Sequence, residues 1–364
     1  LTKTGTGTLT LGGSNSYSGT TTVSAGVLNI QHANALGGTG NGTVVSDGAA
    51  LEIQGGITTA AEPLTINGSG ISSGGALRNV SGDNTYSGAI TLGSASQINS
   101  DSGALTLSSG TAISGNYSLT VDGASTVSIS SSIAIGGIYD GLSKNGSGTL
   151  ILSGNNTYSG WTAINDGTVR LQHANALGTT DSAITFVYGD AVVELEGGLT
   201  FAAEPVTFCG GTWKNLSGDN TFPGQINVGW NGATILSESG TLTVNSATGI
   251  VDEYGSYDVT FGGAGDISVT CFIGTTGGLI KEGSGTLTLS GSNTYTNTVD
   301  ATQGTLVLSG SWENTGTLSV TGGTMTLDGT WTSTAGTLDI DSGTLNLDGT
   351  FAASDIGTVD WSGG

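Results

Sequence analysis

The side chains with the widest chemical repertoire are scarce in this chain, and most fall at repeated places. His32 and His173 are its two histidines, and each stands in its own copy of the segment QHANALG. Metal ligation or acid–base work needs two or more such groups converging. One His per copy of a segment reads instead as a turn or capping residue. Five of the six basic residues recur likewise: Lys3, Lys144 and Lys281 share one position, Arg78 and Lys214 another. A cation needed once per repeat is expected to bond turn carbonyls or neighbouring carboxylates. Arg170 has Asn29 in its place in the earlier copy, which makes it a candidate for a specific contact.

Asp328 and Asp348 occupy the same point of successive LDGT segments. Stacked about 5 Å apart they would repel by roughly 0.8 kcal/mol at a water-like dielectric, a cost that a bound cation reverses. They form the candidate site for weakly bound Ca²⁺, and no other cofactor is expected. Trp312, Trp331 and Phe351 also recur at one position and are expected to form a core or turn ladder. Turned outward, they would make a strip suited to sugar rings. Trp161, Trp213 and Trp230 have non-aromatic counterparts in the earlier copy, Thr20, Leu77 and Ser94, and so read as local additions better suited to glycan binding. Cys209 stands where the earlier copy has Asn67, and Cys271 likewise has no cysteine counterpart there. Their spacing of about three rungs, roughly 14 Å along the stack, is too long for a disulfide, which tolerates Cα separations up to about 7 Å. Two free thiols are expected.

Internal repetition dictates the elements that position these residues. LTKTGTGTLTLGGSNSY from Leu1 returns as LSKNGSGTLILSGNNTY from Leu142 and LIKEGSGTLTLSGSNTY from Leu279. Between these anchors AAEPLTI near Ala60 matches AAEPVTF near Ala202, and GALRNVSGDNTYSG from Gly75 matches GTWKNLSGDNTFPG from Gly211. Residues 1–141 and 142–278 are thus two copies of one long unit, and 279–303 begins a third. Over 304–364 a shorter unit recurs, as in GTLVLSGSW from Gly304, GTMTLDGTW from Gly323 and GTLNLDGTF from Gly343. Segments such as GTLTLSG alternate Leu with Thr, as a strand with one buried face should, and Gly, Asn, Asp and Ser clusters supply the turns. Near-identical rungs suit stacking on their neighbours. The expected fold is all-β, a right-handed parallel β-helix of stacked rungs of about 20 residues. About 18 rungs rising about 4.8 Å each would make one continuous solenoid of order 85 Å. A tandem β-sandwich array is the alternative.

The motif L-x-K-x-G-x-G-T-L-x-L-x-G-x-N-x-Y resembles the autotransporter-associated β-strand repeat, also called the passenger-associated transport repeat. Lys3, Gly5, Gly7, Thr8, Leu9, Asn15 and Tyr17 carry the match. In the second copy they are Lys144, Gly146, Gly148, Thr149, Leu150, Asn156 and Tyr158, and in the third Lys281, Gly283, Gly285, Thr286, Leu287, Asn293 and Tyr295. The third copy departs after Tyr295, where TNTVD replaces SGTTT. The resemblance implies a bacterial passenger, a long right-handed β-helix carried to the cell surface by a C-terminal β-barrel. It implies architecture more than activity.

Composition narrows the function. Asp and Glu number 28 against 6 Lys and Arg, for a net charge of −22. Nucleic acid, whose phosphates need clustered Lys and Arg, is excluded as a partner, and so is electrostatic attraction to an anionic membrane. No apolar run approaches the roughly 20 residues of a membrane span, and no signal peptide is visible. A start at Leu1 and an end at Gly363-Gly364 suggest a segment of a longer chain. Some parallel β-helix proteins cleave acidic polysaccharides, but that chemistry needs a clustered set of Asp or a basic catalyst with calcium. The closest carboxylate groupings are Asp252 with Glu253 and Asp339 with Asp341, and the net charge would repel a polyanion. The chain therefore reads as non-enzymatic: an extracellular, cell-surface β-solenoid serving as stalk, spacer or adhesin passenger. Its expected partners are a host or cell-surface glycan or protein and neighbouring solenoid segments of its own chain. A glycan-binding module using exposed aromatics is the alternative, and a polysaccharide-degrading enzyme a more distant one.

Overall fold

The computed structural model describes residues 1–137, 141–180 and 184–361. It falls into two compact units, Leu1–Thr185 and Phe186–Gly364, and each is a parallel β-solenoid.

In the first unit each strand hydrogen-bonds to its counterpart one coil later. Thr8–Leu11 pairs in parallel with Gly26–Ile30, that strand with Ala49–Gln54, and that in turn with Leu77–Ser81. The register superposes Leu9, Leu28, Leu51 and Leu77, so each coil here is longer than the one before, where the sequence suggested a constant rung. The extra residues sit in corner loops, which can lengthen at little cost because the paired strands keep their register. A second face stacks Asn84–Tyr86, Leu105–Leu107, Val127–Ile129, Thr149–Leu152 and Thr168–Leu171. The boundary at 142 between sequence copies lies inside this unit, and the ladder passes straight through it, with Leu119 paired to Leu142 and Leu142 to Thr162.

The second unit has the same plan. One face runs from Val192–Glu196 through Thr212–Ser217, Ala233–Ser237 and Val259–Gly262 to Leu279–Lys281 and beyond. Another stacks Leu242, Ile267, Leu287, Leu306, Met325 and Leu345 in a column. A third carries Val206–Cys209, Ile226–Val228 and Ile250–Asp252, then, further along the chain, Asn293–Tyr295, Ser311–Asn314 and Thr330–Thr332. Parallel pairing between successive coils rules out the sandwich alternative, whose sheets would be antiparallel.

Alternation explains the core. In Thr286–Leu289 and Thr305–Leu308 the Leu residues are fully buried while Thr286, Thr288, Thr305 and Val307 are half-buried on the outer face. Each enclosed Leu contributes about 1.5–3 kcal/mol, and β-branched Thr fits the outer pleat. Corners are closed by buried Asn. Asn84 donates to Asn79 Oδ1 (2.6 Å) and accepts the Ile57 N–H (2.7 Å). Asn220 does the same with Asn215 (2.5 Å) and Leu199 (2.7 Å). QHANALG forms a hydrogen-bonded turn and no helix, closed by Ala35 N–H donating to His32 O (3.0 Å).

Candidate functional site

Three kinds of unusual side chain stand out against this framework: buried cations, buried aromatics and exposed aromatics. The cations come first because they recur. Lys3, Lys144 and Lys281 point into the solenoid and are almost wholly buried. Strand parity puts Lys144 on the same inward face as Leu142. The Lys144 ammonium donates to Asn145 O (2.7 Å) and Gly146 O (2.6 Å) of its own turn and to Asp166 O (3.2 Å) one coil on. Lys281 repeats the pattern on Glu282 O, Gly283 O and Gln303 O, and Lys3 on Thr4 O, Gly5 O and Ala25 O. All three N–H donors of each ammonium are used.

The facing position is Gly26, Gly167 or Gly304, each with positive φ. A Cβ on Gly167 would lie 2.5 Å from Gly146 O and Gly148 O and 2.8 Å from Lys144 Nζ. This close approach is why the lysine at one turn comes with a glycine one coil later. Burial pushes the Lys144 ammonium down to about 8 and lowers Lys281 as well; the nearby Asp166 and Asp122, or Glu282 and Asp266, resist the shift.

Tyr17 and Tyr158 complete the motif through hydroxyl contacts with Thr21 (2.9 Å) and Thr162 (2.8 Å). In the third copy Val299 stands in place of that Thr, and the buried Tyr295 hydroxyl accepts from Asn293 Nδ2 instead (3.0 Å). The second basic position makes ion pairs across coils: Lys214 with Glu194 (2.7 Å), and Arg78 with Glu52 (3.1 Å) and Asp101 (2.5 Å). The bond to Asp101 is the main cause raising the Arg78 guanidinium above its ordinary range.

The tryptophans divide by side. Trp312 and Trp331 are buried and lie in parallel, with centroids 5.2 Å apart and planes 3° from coplanar. Phe351 extends the stack at 4.7 Å, and Tyr295 packs against Trp312 at 6.1 Å with its ring tilted by 59°. The indole N–H groups of Trp312 and Trp331 donate to Asp328 O (3.1 Å) and Asp348 O (3.4 Å). Trp213 is also buried, edge-on to Phe208 and 4.7 Å from Phe222. Burial corrects the glycan assignment of Trp213, Trp312 and Trp331, since an enclosed ring offers no face to a sugar. Trp161 and Trp230 are exposed, at 49% and 55%. Trp230 is paired with exposed Tyr254 at 5.1 Å and 34°.

The passenger-associated-transport-repeat family matches at residues 1–30, 142–171 and 279–308, the stretches that carry the buried lysines. The chain carries three passenger-associated transport repeats. It is also 29% identical, across 435 aligned positions, to the adhesin BmaC autotransporter of Brucella suis biovar 1 (strain 1330). That likeness covers 81% of this chain but only 12% of the relative's length. No solved structure matches.

The remaining candidates lie outside the matched stretches. His32 and His173 Nδ1 accept the N–H of Asn34 (3.1 Å) and Asn175 (3.0 Å), fastening one turn in each of the first two copies. Cys209 and Cys271 are buried free thiols, and burial raises both above their ordinary range. Asp328 and Asp348 follow the paired positions Leu327 and Leu347. Asp328 Oδ1 accepts the Gly329 N–H (2.7 Å), so one carboxylate already serves its turn. Among the described residues no three His, Cys, Asp or Glu side chains group as metal ligands.

The lysine cages are only partly legible in the sequence. Recurrence marks Lys3, Lys144 and Lys281 as structural, and inward parity after Leu142 is the available sign of burial. Tyr254 is the residue that sequence reasoning misses altogether. Its signal is a second exposed aromatic lying about one coil after Trp230.

Proposed function

We propose that this chain is a surface-displayed segment of an autotransporter-type adhesin passenger, acting as a structural stalk and presenting adhesive surface. The observation that carries the reading is the threefold transport repeat, built each time on the same buried lysine cage. The relationship to an adhesin autotransporter supports the adhesive half. Mechanically, parallel ladders between coils and enclosed Leu columns suit a scaffold whose stability sums over neighbouring coils. The role is non-enzymatic, and the setting extracellular, at the bacterial surface. Host or cell-surface molecules are its proposed partners, together with adjoining solenoid segments.

Antibody raised against residues 1–364 tests display. It should label intact producing cells, and brief external protease should remove the signal. Labelling only after permeabilisation would overturn display. Beads coated with the chain should adhere to host cells above uncoated beads; equal adherence would overturn the adhesive role.

A further inference from the structure

The two long copies share core, corners and lysine cage, so a surface that differs between them is informative. On one corner of the first copy stand Ser46, Asn67, Ser94 and Tyr117. The second copy has Tyr188, Cys209, Trp230 and Tyr254 there. In the first copy the polar side chains close turns: Asn67 Nδ2 donates to Val45 O (2.8 Å), and Ser94 Oγ accepts the Gly68 N–H (2.9 Å). The second copy has replaced those groups with a buried thiol and an exposed indole.

The aromatics are held in place from below. Gly229 N–H donates to Phe208 O (2.7 Å), and Gly232 N–H closes the turn on Gly229 O (3.1 Å). Asn231 and Gly232 both take left-handed backbone, with φ of 68° and 81°. Asn231 is one of three non-glycine residues with positive φ among the described residues, and such conformations gather where a scaffold aims a side chain. The buried Cys209 Sγ lies against this turn, 3.2 Å from the point a Cβ on Gly229 would occupy. Tyr188 stacks on Phe186 (6.0 Å), and its backbone is bridged to Gly210, the residue after Cys209.

We propose that Trp230 and Tyr254, with Tyr188 beside them, form a stacking platform for an uncharged saccharide. Two tilted rings, each about half exposed, offer adjacent π faces, and the C–H face of a pyranose packs on such surfaces as other apolar groups do. Exposed Asp190 and Glu253 neighbour Tyr188 and Tyr254 in sequence. Their carboxylates only accept hydrogen bonds, which suits sugar hydroxyls. Anionic sugars are disfavoured by these carboxylates and by the lack of a free cation. From Phe186 onward the basic residues are Lys214 and Lys281. Lys214 is paired with Glu194, and Lys281 is enclosed by carbonyls. Sialate, uronate and sulfate therefore meet no counter-ion here. This deepens the adhesive reading above and rests on it for its setting.

Saturation-transfer NMR with titration, on the whole chain, tests the platform. The probes are cellohexaose, maltohexaose, chitohexaose and lacto-N-neotetraose, with 3′-sialyllactose and a heparin hexasaccharide as anionic comparisons. At least one neutral probe should receive saturation at its ring C–H protons. Trp230→Ala and Tyr254→Ala should each weaken its binding at least tenfold with unchanged melting, whereas Trp161→Ala should stay within twofold. Absence of neutral binding at millimolar concentration, tighter binding of an anionic probe, or full binding by Trp230→Ala would each overturn the proposal. Wild-type beads that adhere to cells without binding any neutral probe would leave the adhesive role standing and the platform refuted.

Discussion

Replacing Lys144 by Met asks how much a buried ammonium contributes to one turn of the solenoid. Methionine keeps the apolar stem packed and removes only the charged head. Three carbonyls then lose a donor: Asn145 O, Gly146 O and Asp166 O. A buried acceptor left unsatisfied costs about 1–3 kcal/mol. Part of that is returned, because burial had disfavoured the ammonium, and water reaches part of a loosened turn. The net expectation is a loss of about 2–4 kcal/mol, concentrated in the coils at 144–168. Replacing Lys214 takes the cation from Glu194, a carboxylate only 8% exposed, and should cost about 1–3 kcal/mol, more than an exposed surface pair would.

The effect should also depend on pH. Lys144 titrates near 8 in the fold and near its ordinary 10.5 when unfolded. Between those values the unfolded chain holds more protons, so stability rises with pH, and the cost of charging is fully present below pH 8. Hydrogen exchange and urea unfolding, measured from pH 7 to 10, read both parts. Unchanged exchange at 144–168 in Lys144→Met would refute the cage as a stabilising device. An identical pH slope in wild type and variant would refute the link to this lysine.

Trp331→Ala should cost about 3–5 kcal/mol, the range for an enclosed large aromatic, and should expose amides from 293 to 351 to exchange; a melt equal to wild type would place the ring outside the core. For the proposed Ca²⁺ site at Asp328 and Asp348, millimolar Ca²⁺ should raise the melting temperature and EDTA should reverse it, with both effects lost in Asp348→Asn. Identical melting in Ca²⁺ and EDTA removes that site.

Much of the fold was legible because strand parity and repetition are one-dimensional signals. In Ser311–Asn314 alternation alone places Trp312 inward between outward Ser311 and Glu313. The counterpart in the other copy sorts the rest: Trp213 aligns with core Leu77 and is buried, while Trp230 aligns with surface Ser94 and is exposed. The polarity of the counterpart residue, more than the novelty of the aromatic, marks the side of the sheet. The lengthening of successive coils between Leu28, Leu51 and Leu77 was hidden, because corner loops absorb extra residues without altering the pattern of the strands.

The sequence by itself determined a stacked parallel solenoid, the recurrence of Lys3, Lys144 and Lys281, and the strands that enclose Leu. Periodicity fixes which residues share a face, and near-identity of rungs fixes what they stack upon. Only the tertiary structure decided that each lysine is caged by carbonyls from two coils, because the far carbonyl in each cage belongs to a turn 22 residues on. It likewise brought Trp230 within 5.1 Å of Tyr254. Neighbours of this kind are set by coil length and corner geometry, which one rung's sequence does not encode.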